Sequence, residues 1–297
     1  MFEGFDRDVL ATPEGRVTFV RAGTGPPALL LHGFPQTHAA WHRVAPRLAQ
    51  RFTVVVPDLP GYGKSEAPPP DETHERSSKR AAARVLAGVM ETLGFDRFAV
   101  AGHDRGGRVA FRMALDHPAR VSRLAVLDVV PTLDMAEGLT HDLALRMVNW
   151  FLLAQPSPFP ETLLAQAPEL YVSHILDTWA GRPDALAPEA RAEYVRAFGD
   201  PGVRHAACED YRAGATVDLE HDRADRAAGR TLRCPLLVLW SARGITGTGF
   251  EPLAVWKRWA GEVRGRPLDS GHFLMEEAPD AVAAELEAFL GQGKGAD

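Results

Sequence analysis

Apolar and polar residues follow two textures along this chain, and each predicts its own kind of structure. Positions 16–21 alternate, as in a strand with one covered face. Positions 27–31, 52–56, 98–101 and 124–130 are unbroken apolar runs. Runs of that kind suit strands covered on both faces, and so a parallel sheet between helices. Between them, 39–50 and 77–93 read as helices, the second with Ala81, Val85, Leu86 and Val89 in an apolar stripe. A third helix, 107–115, stops at His117-Pro118. From about 131 to 230 the strands cease, and helical patterns punctuated by Pro156, Pro158, Pro160, Pro183, Pro188 and Pro201 replace them. Alternation of strand and helix resumes with 235–240, 251–260, 262–267 and 277–290. The pattern predicts an α/β protein. Residues 1–130 and 231–297 build a doubly wound, mostly parallel sheet, and 131–230 is an inserted helical cap.

Composition narrows the function class. The chain has 297 residues, 45% apolar and 24% charged, enough for a sizeable core. A net charge of -6 with scattered Lys and Arg argues against nucleic acid as a partner. Two cysteines, Cys208 and Cys234, imply no disulfide framework and a reducing compartment. The first residues carry no basic region followed by an apolar one, and no apolar run approaches the roughly 18 residues of a membrane span. The expectation is a soluble cytoplasmic protein. His38 and His42 are four apart but have no evident third ligand, so a solvated helix face is expected there rather than a metal. The glycines of 23–25 and 58–65 lack the strand-linked dinucleotide fingerprint.

The chemistry centres on Gly102-His103-Asp104-Arg105-Gly106. A strand running into small residues and then a helix is the pattern of a nucleophile elbow, which thrusts one side chain out at the helix N-terminus. Here that side chain is a carboxylate. In open α/β sheets ligands bind beyond the C-terminal strand ends, and Asp104, Asp128 and His272 each follow a strand. Their order, nucleophile, acid, histidine, is that of α/β-hydrolases. The segment 241–245 offers no carboxylate, so Asp128 is the expected partner of His272. A serine attacking an sp3 carbon would form an ether, which resists hydrolysis. An aspartate forms an ester that histidine-activated water cleaves. Asp104 therefore points to dehalogenation or epoxide opening, with the Phe34 and Arg105 N–H groups as the expected oxyanion hole.

Arg105 and Arg108 share one face of the first turn after Asp104. Cations there oppose the helix dipole unless anions neutralise them. Asp104 is one such anion, and a substrate carboxylate would be a second, held by guanidinium forks. The motif His103-Asp104-Arg105-Gly106-Gly107-Arg108-Val109 resembles the fluoroacetate (haloacetate) dehalogenases of the α/β-hydrolase superfamily. The similarity continues through Leu153-Ala154-Gln155-Pro156, Cys208-Glu209-Asp210-Tyr211-Arg212-Ala213-Gly214 and Ser270-Gly271-His272-Phe273-Leu274. It implies hydrolysis of 2-haloacetates to glycolate and halide. Asp104 would be nucleophile, His272 base and Asp128 its orienter, with Arg105 and Arg108 on the substrate carboxylate. It also implies no metal or organic cofactor, and a homodimer. The family's halide pocket is a His-Trp pair and a tyrosine. Trp150 and Tyr211 match, but the histidine position is Asn149. Asparagine keeps an N–H donor but cannot become cationic, so chloro- or bromoacetate should be favoured over fluoroacetate. The alternatives are an epoxide hydrolase, with Tyr171 and Tyr194 joining Tyr211, or a non-catalytic ligand-binding protein.

Overall fold

Eight strands form one sheet in the order β1 (Asp6–Thr12), β2 (Gly15–Ala22), β4 (Thr53–Pro57), β3 (Pro27–Leu31), β5 (Phe98–His103), β6 (Val121–Leu127), β7 (Leu236–Ser241) and β8 (Val263–Leu268). The structure is a computed structural model that describes residues 1–182 and 184–291. β1, β2 and β4 are joined antiparallel, and every pairing from β4 through β3 to β8 is parallel. The expected α/β sheet is thus present, with an antiparallel edge added. β1 escaped the sequence reading because it is an outer strand, largely solvent-facing and rich in charge.

The unbroken apolar runs have a direct explanation. Leu29, Leu31, Val100, Val126 and Val238 pack on one face with Val109, Phe111 and Met113 of the helix Asp104–Asp116. Their neighbours Leu30, Val54, Ala101, Leu127 and Leu239 pack on the other with Trp41, Leu286 and Phe289. Successive side chains enter opposite layers, and both layers are apolar.

Local differences from the expected elements have identifiable causes. The 39–50 helix is a short 3-10 turn, His38–Trp41, followed by the helix Ala45–Leu48. Pro46 lacks an N–H, so the first segment cannot continue through it. His38 is not on a solvated face. It is buried, with Nδ1 2.8 Å from Asp58 Oδ1.

Between β6 and β7 the described residues contain eight helices, from Thr132–Glu137 to Val217–Ala227, and no strand. Pro188 and Pro201 each occupy a first helical turn, where the missing N–H costs nothing. No described helix is long and apolar enough to cross a membrane.

A buried carboxylate joins this helical segment to the sheet. Glu276 Oε1 accepts from Gln36 Nε2 (2.7 Å) and from the hydroxyl of Tyr194 (2.6 Å), and Arg43 donates to the Glu276 carbonyl (2.9 Å). Burial pushes its carboxyl up to about 7, against the lowering effect of Tyr194, Arg43 and Gln36. The folded protein then binds a proton here that the unfolded chain releases near pH 4.5. This contribution to stability is present below about pH 4.5 and is lost as pH rises to about 7. A shift of that size corresponds to about 3 kcal/mol. Denaturant titrations of Glu276→Gln between pH 5 and pH 8 should therefore show a shallower fall in stability than the native chain. An unchanged pH slope would refute this reading.

Candidate active site

The elbow is built from close backbone approaches. A Cβ on Gly102 would lie 2.3 Å from the Gly106 carbonyl oxygen, and one on Gly106 2.2 Å from that of His32. Any larger side chain would separate β5 from its helix or from β3. Asp104, which opens the helix Asp104–Asp116, has φ 47. That left-handed strain, which non-glycine residues rarely carry, aims its carboxylate out of the turn. Asp104 Oδ1 accepts from the Phe34 N–H (3.0 Å). Asp104 Oδ2 faces His272 Nε2 at 4.0 Å, beyond hydrogen-bond length. One oxygen is therefore tethered at the expected oxyanion donor while the other is available.

Asp128 follows the last residue of β6, also in a left-handed conformation with φ 46. Its Oδ2 lies 2.7 Å from His272 Nδ1, and its Oδ1 accepts from Ser241 N (3.0 Å). Ser241 in turn donates through Oγ to the Ser270 carbonyl (2.7 Å), two residues before the histidine. The three sequence-predicted residues thus converge. Burial would lower the His272 imidazole, but the hydrogen bond and charge of Asp128, with Asp104 and Glu277, hold it above its ordinary range. Burial would raise Asp104, but His272, His103 and the two arginines hold it below the usual carboxylate range. His103, immediately before Asp104, is pushed down to about 3 by burial and by His272.

The arginines separate. Arg108 lines a cavity of about 490 Å3 together with Asp104, Asp128, His272, Asn149 and Trp150. Its Nε donates to the Val130 carbonyl (3.2 Å), its guanidinium lies 4.6 Å from the Trp150 ring centre, and its Nη1 is buried without a partner. Burial and the neighbouring Arg105 lower it to about 10. Arg105 turns away from that cavity wall. Its Nε and Nη2 donate to the side chain and carbonyl of Asp210, and it stacks 4.0 Å from the Tyr211 ring centre. Asp210 is itself shared with Lys79 and with the hydroxyl of Tyr62 (2.8 Å). Asp210 was visible in the sequence only as part of a helix, since its partners lie far away in the chain. Trp179 was missed for the same reason. It lines the cavity and meets the His272 ring edge-on at 5.1 Å.

Of the expected halide donors, Asn149 and Trp150 line the cavity, whereas Tyr211 is not in its wall. Asn149 Nδ2 donates to the Tyr211 hydroxyl (3.0 Å), which ties Tyr211 to the same corner. Tyr194 gives its hydroxyl to Glu276, and the Tyr171 ring stacks on Phe198. Neither lines the cavity.

Comparison with known proteins identifies the family. Residues 26–279 match the family model for the alpha/beta hydrolase fold. The chain is 42% identical to a fluoroacetate dehalogenase of Burkholderia sp over 295 residues, covering 99% of this chain and 96% of that protein. It is 34% identical to a soluble epoxide hydrolase of Corynebacterium sp. (strain C12) over 271 residues, 90% and 91% of the two chains. Among solved structures, ALR0039 of Nostoc sp PCC 7120, assigned to the alpha/beta hydrolases, superposes with a TM-score of 0.96 at 47% identity, covering 99% of this chain and all of that one. The chain belongs to the α/β-hydrolase fold family and, within it, to the haloacetate-dehalogenase-like hydrolases.

Proposed function

We propose that the protein hydrolyses 2-haloacetates to glycolate and halide. The observation that carries this is the division of labour on Asp104, with Oδ1 tethered to the Phe34 N–H and Oδ2 free in the Arg108-lined cavity. Oδ2 attacks C2 of the haloacetate, the carbon–halogen bond breaks and halide leaves, producing an Asp104 ester. The ester carbonyl oxygen is then Oδ1, already on the Phe34 N–H, and the Arg105 N–H serves as the second donor. Water gives a proton to His272, oriented by Asp128, and adds to the Asp104 carboxyl carbon. Collapse expels the glycolate oxygen, which takes that proton from His272, and the Asp104 carboxyl releases its own proton to solvent, leaving aspartate with one oxygen from water.

Arg108 holds the substrate carboxylate with its unpartnered Nη1, and Arg105, kept in place by Asp210, is the second cation beside it. Asn149, Trp150 and Tyr211 receive the halide. The Tyr211 hydroxyl accepts from Asn149, so its own proton is free to be donated. In this reading 131–230 is a cap over Asp104 and the working assembly is a cytoplasmic homodimer. The exposed Leu145, Val148, Phe151, Phe159, Leu163 and Leu170 on that segment support a mating surface.

Epoxide hydrolysis uses the same aspartate and histidine, and the Corynebacterium relative keeps that reading in view. It is disfavoured because Tyr171 and Tyr194 lie outside the cavity and a buried cation faces it.

The deciding assay measures halide release from bromo-, chloro- and fluoroacetate beside diol formation from styrene oxide, with Asp104→Asn as the inactive control. Chloroacetate should exceed fluoroacetate in kcat/KM. Asn149→His should narrow that gap by about tenfold or more, the worth of one charge-assisted hydrogen bond to the leaving fluoride. Diol formation without halide release would sink the proposal, and a fluoroacetate kcat/KM above that for chloroacetate would refute the halide ranking.

A further inference from the structure

Two backbones cross at the seam between the helical segment and the histidine loop. A Cβ on Gly181 would stand 2.6 Å from Gly271 N, and one on Gly271 2.0 Å from Gly181 N. Nothing larger than hydrogen fits between them. Such a crossing turns the N–H groups of Gly181 and the buried Gly271 toward one small volume, where one acceptor can satisfy both. Glu277 supplies it. Its Oε2 accepts from Gly181 N (2.9 Å) and Gly271 N (2.8 Å), and its Oε1 from Phe273 N (3.1 Å). One carboxylate thereby holds the backbone on both sides of His272. Two further bonds close the seam: His272 N donates to the Trp179 carbonyl (2.9 Å), and Arg182 Nη2 to the Glu277 carbonyl (2.9 Å). Glu277 is buried and is not part of the cavity wall.

We infer that Glu277 is a positioning residue for His272, and that it makes the 179–181 wall of the cavity and the histidine loop move as one unit. The inference rests on reading His272 as the base. That imidazole must keep Nδ1 on Asp128 at 2.7 Å while Nε2 looks toward Asp104. A small rotation of the loop breaks one alignment or the other, and the N–H groups of Gly181, Gly271 and Phe273 converge on Glu277. The carboxylate also acts through space. The charged groups that hold the imidazole above its ordinary range are Asp128, Asp104 and Glu277, while burial opposes them. The adjacent Glu276 faces elsewhere, toward Gln36 and Tyr194.

Two full-length variants test this. Glu277→Gln keeps the size, but its one amide oxygen cannot serve both sides, and its NH2 confronts an N–H. Gly181→Ala forces the two backbones apart, its Cβ standing 2.6 Å from Gly271 N and 2.9 Å from Glu277 Oε2, but keeps the carboxylate's charge. Histidine NMR without substrate reads the Nδ1–H signal and the titration of His272. Halide release from chloroacetate, with intact-protein mass, reads turnover and the Asp104 ester. In both variants kcat should fall about 10- to 100-fold, as expected for a displaced catalytic group. KM should change far less, and ester should accumulate because the second step is the one slowed. In Glu277→Gln, His272 should also titrate at lower pH and its Nδ1–H signal should weaken.

A merely structural role would lower the melting temperature without shifting the titration or building up ester. The inference is overturned if both variants turn over within about twofold of the native chain with His272 unaltered. Should Glu277→Gln not fold, Gly181→Ala decides by the same turnover and ester readouts. Should the native chain release no halide, the dehalogenase reading fails, and the NMR comparison alone decides the role of Glu277.

Discussion

Glutamine in place of His272 is expected to leave a protein that reacts with haloacetate once and then stops. The first step needs only Asp104 Oδ2, which makes no hydrogen bond to the histidine in the resting site. The second needs a base, and among the described residues no other is placed for it. His103 stands beside His272, with ring centres 4.5 Å apart, but its Nε2 is engaged with the His272 carbonyl. One equivalent of halide should therefore appear, the Asp104 ester should persist in the intact mass, and kcat should fall by roughly 10^4-fold or more. Continued turnover would show that another group activates the water. The native pH profile carries the same signature. Burial would lower the imidazole, but Asp128, Asp104 and Glu277 raise it above 6.5. Only neutral His272 can accept the proton, and in the ester Asp104 has lost its charge, so kcat should climb with pH through a midpoint that Asp128 and Glu277 still hold up.

Arg108→Gln is expected to produce the second large loss, and in a different kinetic parameter. An anionic substrate approaching Asp104 meets a repulsion of about 4 kcal/mol at roughly 4 Å in an effective dielectric near 20. Arg146 and Arg243 also line the cavity but are exposed; Arg108 is buried beside Asp104 with Nη1 unpartnered, and it is the cation that answers this repulsion. A charge-assisted hydrogen bond to carboxylate is worth about 1.5–3 kcal/mol. Its removal should lower kcat/KM by about 10- to 10^2-fold, chiefly through KM. Arg108→Lys should recover part of this, because the charge returns but the bond to the Val130 carbonyl and the flat contact with Trp150 do not. Near-native kinetics in Arg108→Gln would remove Arg108 from the substrate site.

The elements that position the site were legible in the residue pattern for a simple reason. Strands covered on both faces must be apolar throughout, so β3, β4, β5, β6 and β7 announce themselves as runs. β1, covered on neither face, does not. Asp104, Asp128 and His272 were equally readable, because each follows such a run and the elbow requires small neighbours at fixed local spacing.

Long-range pairing is another matter. That Arg105 turns to Asp210 while Arg108 keeps the cavity depends on a helix more than 90 residues further along the chain. The same holds for Asn149 on Tyr211, and for Trp179 against the histidine.

The sequence by itself determined the sheet, the elbow and the carboxylate that the elbow presents, since these obey local periodicity and local sterics. Only the tertiary structure decided which oxygen of Asp104 is free, which arginine faces the cavity and what holds the histidine loop. Those outcomes are set by burial and by hydrogen-bond partners that no local spacing encodes.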